Sequence, residues 1–96
     1  MATIIEHHPD DQEFTATAGS HGGELAYSRP AEGVLDFTHT FVEEELRGTG
    51  VGEQLARAGL AFARTQGLRV RTSCEFMAGF VRQHPEFQDL QDDTEY

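Results

Sequence analysis

At 96 residues with 38% apolar side chains, the chain can build one modest hydrophobic core and little more. Its 17 acidic and 7 basic side chains give a net charge of −10, which repels phosphate backbones and argues against nucleic acid as a partner. No apolar run approaches membrane-spanning length, and a single cysteine excludes an internal disulfide or a cysteine-rich zinc site.

The N-terminal stretch lacks the basic and apolar blocks of a signal peptide, so a cytoplasmic location is expected. The acid excess would steer a cationic partner, such as a polyamine or a basic peptide, towards the surface; the plainer alternative is that it keeps the chain in solution. Ile4-Ile5 leads into His7-His8-Pro9-Asp10-Asp11, which reads as an exposed polar turn, since no third ligand near the two histidines completes a metal site.

Glu13–Ala18 alternates β-favouring residues and predicts a first strand. Gly19–Gly23 predicts a turn, with Gly22-Gly23 supplying positive φ, and Glu24–Ser28 a second strand. Arg29-Pro30-Ala31-Glu32-Gly33 predicts the next turn, and Val34–Val42 the third strand. Strict alternation puts Leu35, Phe37, His39 and Phe41 on one face of that strand, and Asp36, Thr38, Thr40 and Val42 on the other.

Between this strand and the next helix lies Arg47-Gly48-Thr49-Gly50-Val51-Gly52, with three glycines in six residues. Glycines at a helix N-terminus let several backbone N–H groups converge on one point, and with the helix dipole they make an anion site suited to phosphate. The bland alternative is a turn that only reverses the chain.

The helix predicted over Val51–Gln66 carries Val51, Leu55, Ala58 and Phe62 at helical spacing, widened by Leu60, Ala61 and Ala63. Glu53 and Arg57 are placed to pair on its outer face, and Gly67 to close it. Leu68–Ser73 predicts a returning strand with Arg69 and Arg71 solvated. Glu75–Gln83 predicts a second helix with Phe76, Phe80 and Val81 inward, stopped at His84-Pro85. Phe87 and Leu90 would anchor the end, with Gln91–Tyr96 frayed. The order β-β-β-α-β-α predicts an α+β sandwich on a mixed, mostly antiparallel sheet, one domain over residues 1–96.

Strand, Arg-x-x-Gly-x-Gly and helix in that order resemble the pyrophosphate loop of the GCN5-related N-acetyltransferases. The resemblance extends to His39-Thr40-Phe41-Val42 at the strand end, Arg47 to Gly52 in the loop, Cys74 after the next strand, and His84-Pro85-Glu86-Phe87, covering about Glu24 to Leu90. Glu43, Thr72 and Glu75 stand where related sequences often have proline. The family's usual N-terminal helices have no counterpart here, which implies an open acceptor site.

The resemblance implies acetyl-CoA (coenzyme A) binding and transfer of acetyl to an amine by direct attack. Backbone groups of Thr40, Phe41 and Val42 would hold the pantetheine. The pyrophosphate would sit on Arg47, Gly48, Thr49, Gly50, Val51, Gly52 and Glu53. His39 is the candidate base, its alternative being a histidine satisfied by a backbone carbonyl. Cys74, before a helix whose dipole favours a thiolate, would serve as nucleophile or as the acid for the departing thiolate, or would only pack. With no lysine in the chain, self-acetylation could fall only on the α-amine or Cys74. A non-catalytic acyl-CoA-binding module and an interaction domain with a vestigial loop stand as alternatives, as do monomer and homodimer.

Overall fold

Period-two alternation of apolar and polar residues sets most of the sheet. In the computed structural model, which describes residues 2–92, the strands are β1 (Ile4–His8), β2 (Glu13–Ala18), β3 (His21–Ala31), β4 (Val34–Val42) and β5 (Arg69–Thr72). They lie in chain order across one sheet, antiparallel except for β5, which runs parallel to β4. Helices α1 (Val51–Thr65) and α2 (Glu75–Gln83) cover one face. This is the α+β mixed sheet that the order of elements predicts, with one more strand at its edge.

That strand, β1, takes in His7 and His8, so the expected exposed polar turn is confined to Pro9–Asp11. His7 stacks on Phe14 at 4.1 Å, meets the edge of Phe62 at 4.4 Å, and shares a 2.7 Å hydrogen bond with the Tyr27 hydroxyl. Burial, then the neighbouring His8, lowers its pKa, so the ring is an apolar building block that ties β1 to the sheet.

Two turns also move. Gly22 and Gly23 belong to β3, because the turn is Gly19-Ser20, with Gly19 at φ 64°. Pro30 sits inside β3 at a register shift between Ser28 and Ala31, where a missing N–H costs no ladder bond, and Gly33 at φ 77° makes the turn instead.

Helix α1 buries Val51, Leu55, Ala56, Gly59, Leu60 and Ala63, leaving Ala58 and Phe62 half-buried and Ala61 exposed. The stripe is rotated from the expected one because Gly59 marks the closest approach to the sheet. A Cβ there would lie 2.7 Å from Phe37 Cε1. Gly67, at φ 69°, ends the helix with Leu68 N–H reaching Ala63 O at 2.8 Å. The expected Glu53–Arg57 pair forms at 3.2 Å.

In α2, Met77, Phe80 and Val81 are buried, while Phe76, expected inward, is exposed. Leu90 is buried and Phe87 packs against the core, as anticipated. Gln91 and Asp92 are not frayed: Gln91 bridges to Val70, and Asp92 N–H bonds Val70 O. Residues 93–96 lie outside the described part. The arginines of β5 are engaged as well, Arg69 with the carbonyls of Asp89 and Gln91, and Arg71 with Asp92 at 3.2 Å. No described helix is long and apolar enough to cross a membrane.

Candidate functional site

The site is built on an irregularity in β4. Tyr27 pairs with Phe37 but Ala26 pairs with His39, so Thr38 is an extra residue on β4. Such a bulge reverses the alternation beyond it. Thr40 and Val42 therefore join Leu35 and Phe37 on the helix-covered side, while His39 and Phe41 are exposed on the other. The shared face expected for Leu35, Phe37, His39 and Phe41 does not survive the bulge.

The parallel ladder ends at Phe37–Thr72, with Cys74 N–H adding one bond to Phe37 O. Asp36 pins the turn by accepting from Ser73 N–H and Ser73 Oγ at 3.0 and 2.7 Å. Past that point β4 continues without β5 beside it, and a cleft of about 520 Å³ opens there. Thr40, Phe41, Val42, Arg47, Gly48, Gly50, Gly52 and Glu53 line it together with Leu46, Phe76, Phe80, Gln83 and His84.

Each glycine of the loop has its own reason. Gly48 and Gly50 lie at φ 82° and 91° with open space where a Cβ would be, so the backbone conformation requires them. Gly52 is helical, and a Cβ there would come 3.1 Å from Phe76 Cζ, so the cleft requires it. Gly50 is the residue before α1, whose first-turn N–H groups point outward at the cleft's end. Arg47 Nε donates to Val42 O at 3.1 Å, which holds the guanidinium beside the loop. The cleft is thus a donor-rich end, with Arg47 and Glu53 beside it, joined to an apolar wall of Val42, Leu46, Phe76 and Phe80.

Of the remaining expected residues, Thr49 bonds back to Leu46 O and Val51 is buried beneath the first helical turn. Cys74 is half-buried and does not line the cleft, but its Sγ lies 3.1 Å from Thr40 Oγ1, which does. His39 stands across the strand on the helix-free face. The wall supplied by α2 was not anticipated. Its signal is legible afterwards: Phe76, Phe80 and His84 recur every four residues, and His84 stacks on Phe80 at 3.9 Å with Nδ1 hydrogen-bonded to Phe80 O.

The described histidines and carboxylates form one close group, His21, Glu43 and Glu45, with donor atoms within 4.8 Å of one another. His7 and His8 are not part of it; His8 bonds Thr15.

Compared with known proteins, residues 13–90 match the family model described as GCN5-related N-acetyl-transferase. The chain is 32% identical to Protein NATD1 of Bos taurus over 89 residues, 91% of this chain and 79% of that one. It is 29% identical to the Homo sapiens NATD1 protein over the same share of this chain and 79% of that one. Among solved structures, a GCN5-like protein from Staphylococcus aureus superposes with a TM-score of 0.75 at 25% identity, over 97% of this chain and 91% of that one. An acetyltransferase-family structure from Desulfovibrio desulfuricans, at 17% identity and a TM-score of 0.52 over 77% of this chain and 52% of that one, shares the fold.

Proposed function

This chain belongs to the GCN5-related N-acetyltransferase family, and on that premise we propose that it binds acetyl-CoA in the cleft beside β4 and transfers the acetyl group to an amine. The observation that carries this reading is the polarity of the cleft, with helix N–H groups and two positive-φ glycines at one end and an aromatic wall at the other. An elongated ligand with a phosphate-bearing part and an uncharged arm matches it.

Acetyl-CoA would supply an activated acyl group as a thioester. The N–H groups of Gly48 and of Gly50 to Glu53 hold its pyrophosphate, with Arg47 adding positive charge, while the Thr49 N–H is taken by Leu46 O. The unpaired end of β4, Thr40 to Val42, aligns the pantetheine arm, and Phe76 and Phe80 keep water from it. An amine arriving from the helix-free face meets β4 at the bulge, where His39 takes the proton the amine must lose. The amine nitrogen bonds the carbonyl carbon as the carbon–sulfur bond breaks, and the thiolate leaves with the bonding pair. Cys74 would return a proton to that sulfur through the Thr40 hydroxyl, to which it is bonded and which lines the cleft.

Calorimetric titration with acetyl-CoA tests the reading, on the parent chain and on Arg47→Ala and Gly52→Ala. The alanine at position 52 leaves the backbone helical and intrudes only towards Phe76, so the fold is retained. One-site binding weakened about tenfold or more by each variant, roughly 1.4 kcal/mol, is expected. A folded parent chain that shows no saturable binding at millimolar ligand sinks the proposal.

A further inference from the structure

His84 is held in one orientation by its own helix. Its ring stacks on Phe80 at 3.9 Å, and Nδ1 lies 2.7 Å from Phe80 O, the carbonyl one turn earlier. A carbonyl only accepts, so Nδ1 carries the proton and donates it. The neutral ring therefore keeps its lone pair on Nε2, the atom that gains a proton when the ring becomes a cation. Capping the helix uses Nδ1 alone, and among the described residues no hydrogen bond reaches Nε2.

The ring is half-buried and lines the cleft, two helical turns beyond Phe76, ~12 Å at the usual rise. Phe76 is the ring that meets Gly52 at the start of α1, so the cleft extends along α2 from the donor-rich loop to His84. Positive charge is scarce in a chain with 7 basic and 17 acidic side chains. Among the described residues lining the cleft, only Arg47 and His84 can be cations, and Glu53 opposes them.

The charged groups on the surrounding elements are already engaged. On α1, Glu53 pairs with Arg57 at 3.2 Å, and Arg57 lies over Phe80 and reaches Glu86 at 3.8 Å. Asp89, in the turn after α2, is taken by Arg64 at 3.0 Å. On β4 and β5, Asp36 is bonded to Ser73, Arg69 to the carbonyls of Asp89 and Gln91, and Arg71 to Asp92. Arg82 on α2 is exposed.

We infer that His84 is the second cationic contact of the cleft: protonated on Nε2, it binds a phosphate group of acetyl-CoA, and binding takes up a proton. The inference rests on the acetyl-CoA reading. The partner is either the pyrophosphate or the phosphate on the ribose, which share the same chemistry. An anion beside an imidazole favours its charged form, so the ring holds its proton more tightly in the complex than in the free chain. Affinity therefore rises as pH falls through the range in which imidazoles titrate.

The test is calorimetric titration of the full chain with acetyl-CoA, acetyl-dephospho-CoA and inorganic pyrophosphate at pH 6.5 and 8.5, repeated on His84→Asn. The asparagine amide takes the place of Nδ1 and keeps the bond to Phe80 O, but it has no Nε2; thermal melting checks the fold. The parent is expected to bind acetyl-CoA at least about threefold tighter at pH 6.5, with proton uptake read from the dependence of the heat on the buffer. In His84→Asn the two affinities are expected to converge. A variant that keeps the parent's pH dependence shows that His84 only caps α2, and overturns the inference. Loss of the dependence with acetyl-dephospho-CoA names the ribose phosphate as the partner, and its retention names the pyrophosphate. Should the variant not fold, NMR titration of the His84 ring in the parent decides: a pKa raised by ligand supports the contact, and an unchanged one overturns it. Binding of acetyl-CoA that ignores pH overturns the inference and leaves the transferase reading standing. Binding of pyrophosphate that depends on pH and on His84, with none of acetyl-CoA, keeps the contact and sinks the transferase reading.

Discussion

Cys74 Sγ lies 3.1 Å from Thr40 Oγ1, joining the residue before α2 to the strand just past its bulge, 34 positions earlier in the chain. Thr40 lines the cleft while Cys74 sits behind it. Saturating acetyl-CoA is therefore expected to slow alkylation of Cys74 by iodoacetamide at least fivefold, followed by mass spectrometry. Equal rates with and without ligand would detach the thiol from the site.

His39 lies on the exposed face next to the same bulge, paired with Ala26. His39→Gln is expected to leave acetyl-CoA affinity unchanged and to lower kcat about 100-fold, as loss of a general base does. Steady-state kinetics at saturating acetyl-CoA checks this, and an unchanged kcat would place the base elsewhere.

His7 makes stability depend on pH. Its pKa in the folded chain is lowered from 6.5 by burial and then by His8, so the unfolded chain binds this proton more readily. Its contribution is fully present above the unfolded value and is lost as pH falls below about 6.5 towards the folded pKa. Melting temperature should drop between pH 7 and pH 5, and His7→Phe should flatten that drop. The variant also gives up the hydrogen bond to Tyr27, about 1 kcal/mol at pH 8.

Gly59 is where α1 touches the sheet, with Phe37 and Leu25 within 3.0 Å of the Cβ it lacks. Gly59→Ala gains helix propensity but overpacks the core. A net loss of about 1–3 kcal/mol is expected, read from the urea midpoint. An unchanged midpoint would show that α1 can shift away from β4.

How much of this was legible depends on how local each cause is. Hydrophobic period and turn chemistry are local, so α2 came out at its observed bounds and α1 within a residue at its end. The glycines of the loop were legible for the same reason, since positive φ and an absent Cβ are properties of single residues. What packs against a side chain is not local. His7 reads as polar until Phe14, Tyr27 and Phe62 close around it, and β1 went unread with it.

By itself, the sequence determined the α+β order, the glycine-lined helix start and the acid excess, because each follows from residue type and spacing. Only the tertiary structure decided which face of β4 carries which side chain. The extra residue at Thr38 exists only relative to β3, and it sends Thr40 towards Cys74 while turning His39 and Phe41 outward. The cleft is likewise a product of assembly: the ladder to β5 stops at Phe37, and α2 brings Phe76 and Phe80 to face the strand end it leaves unpaired.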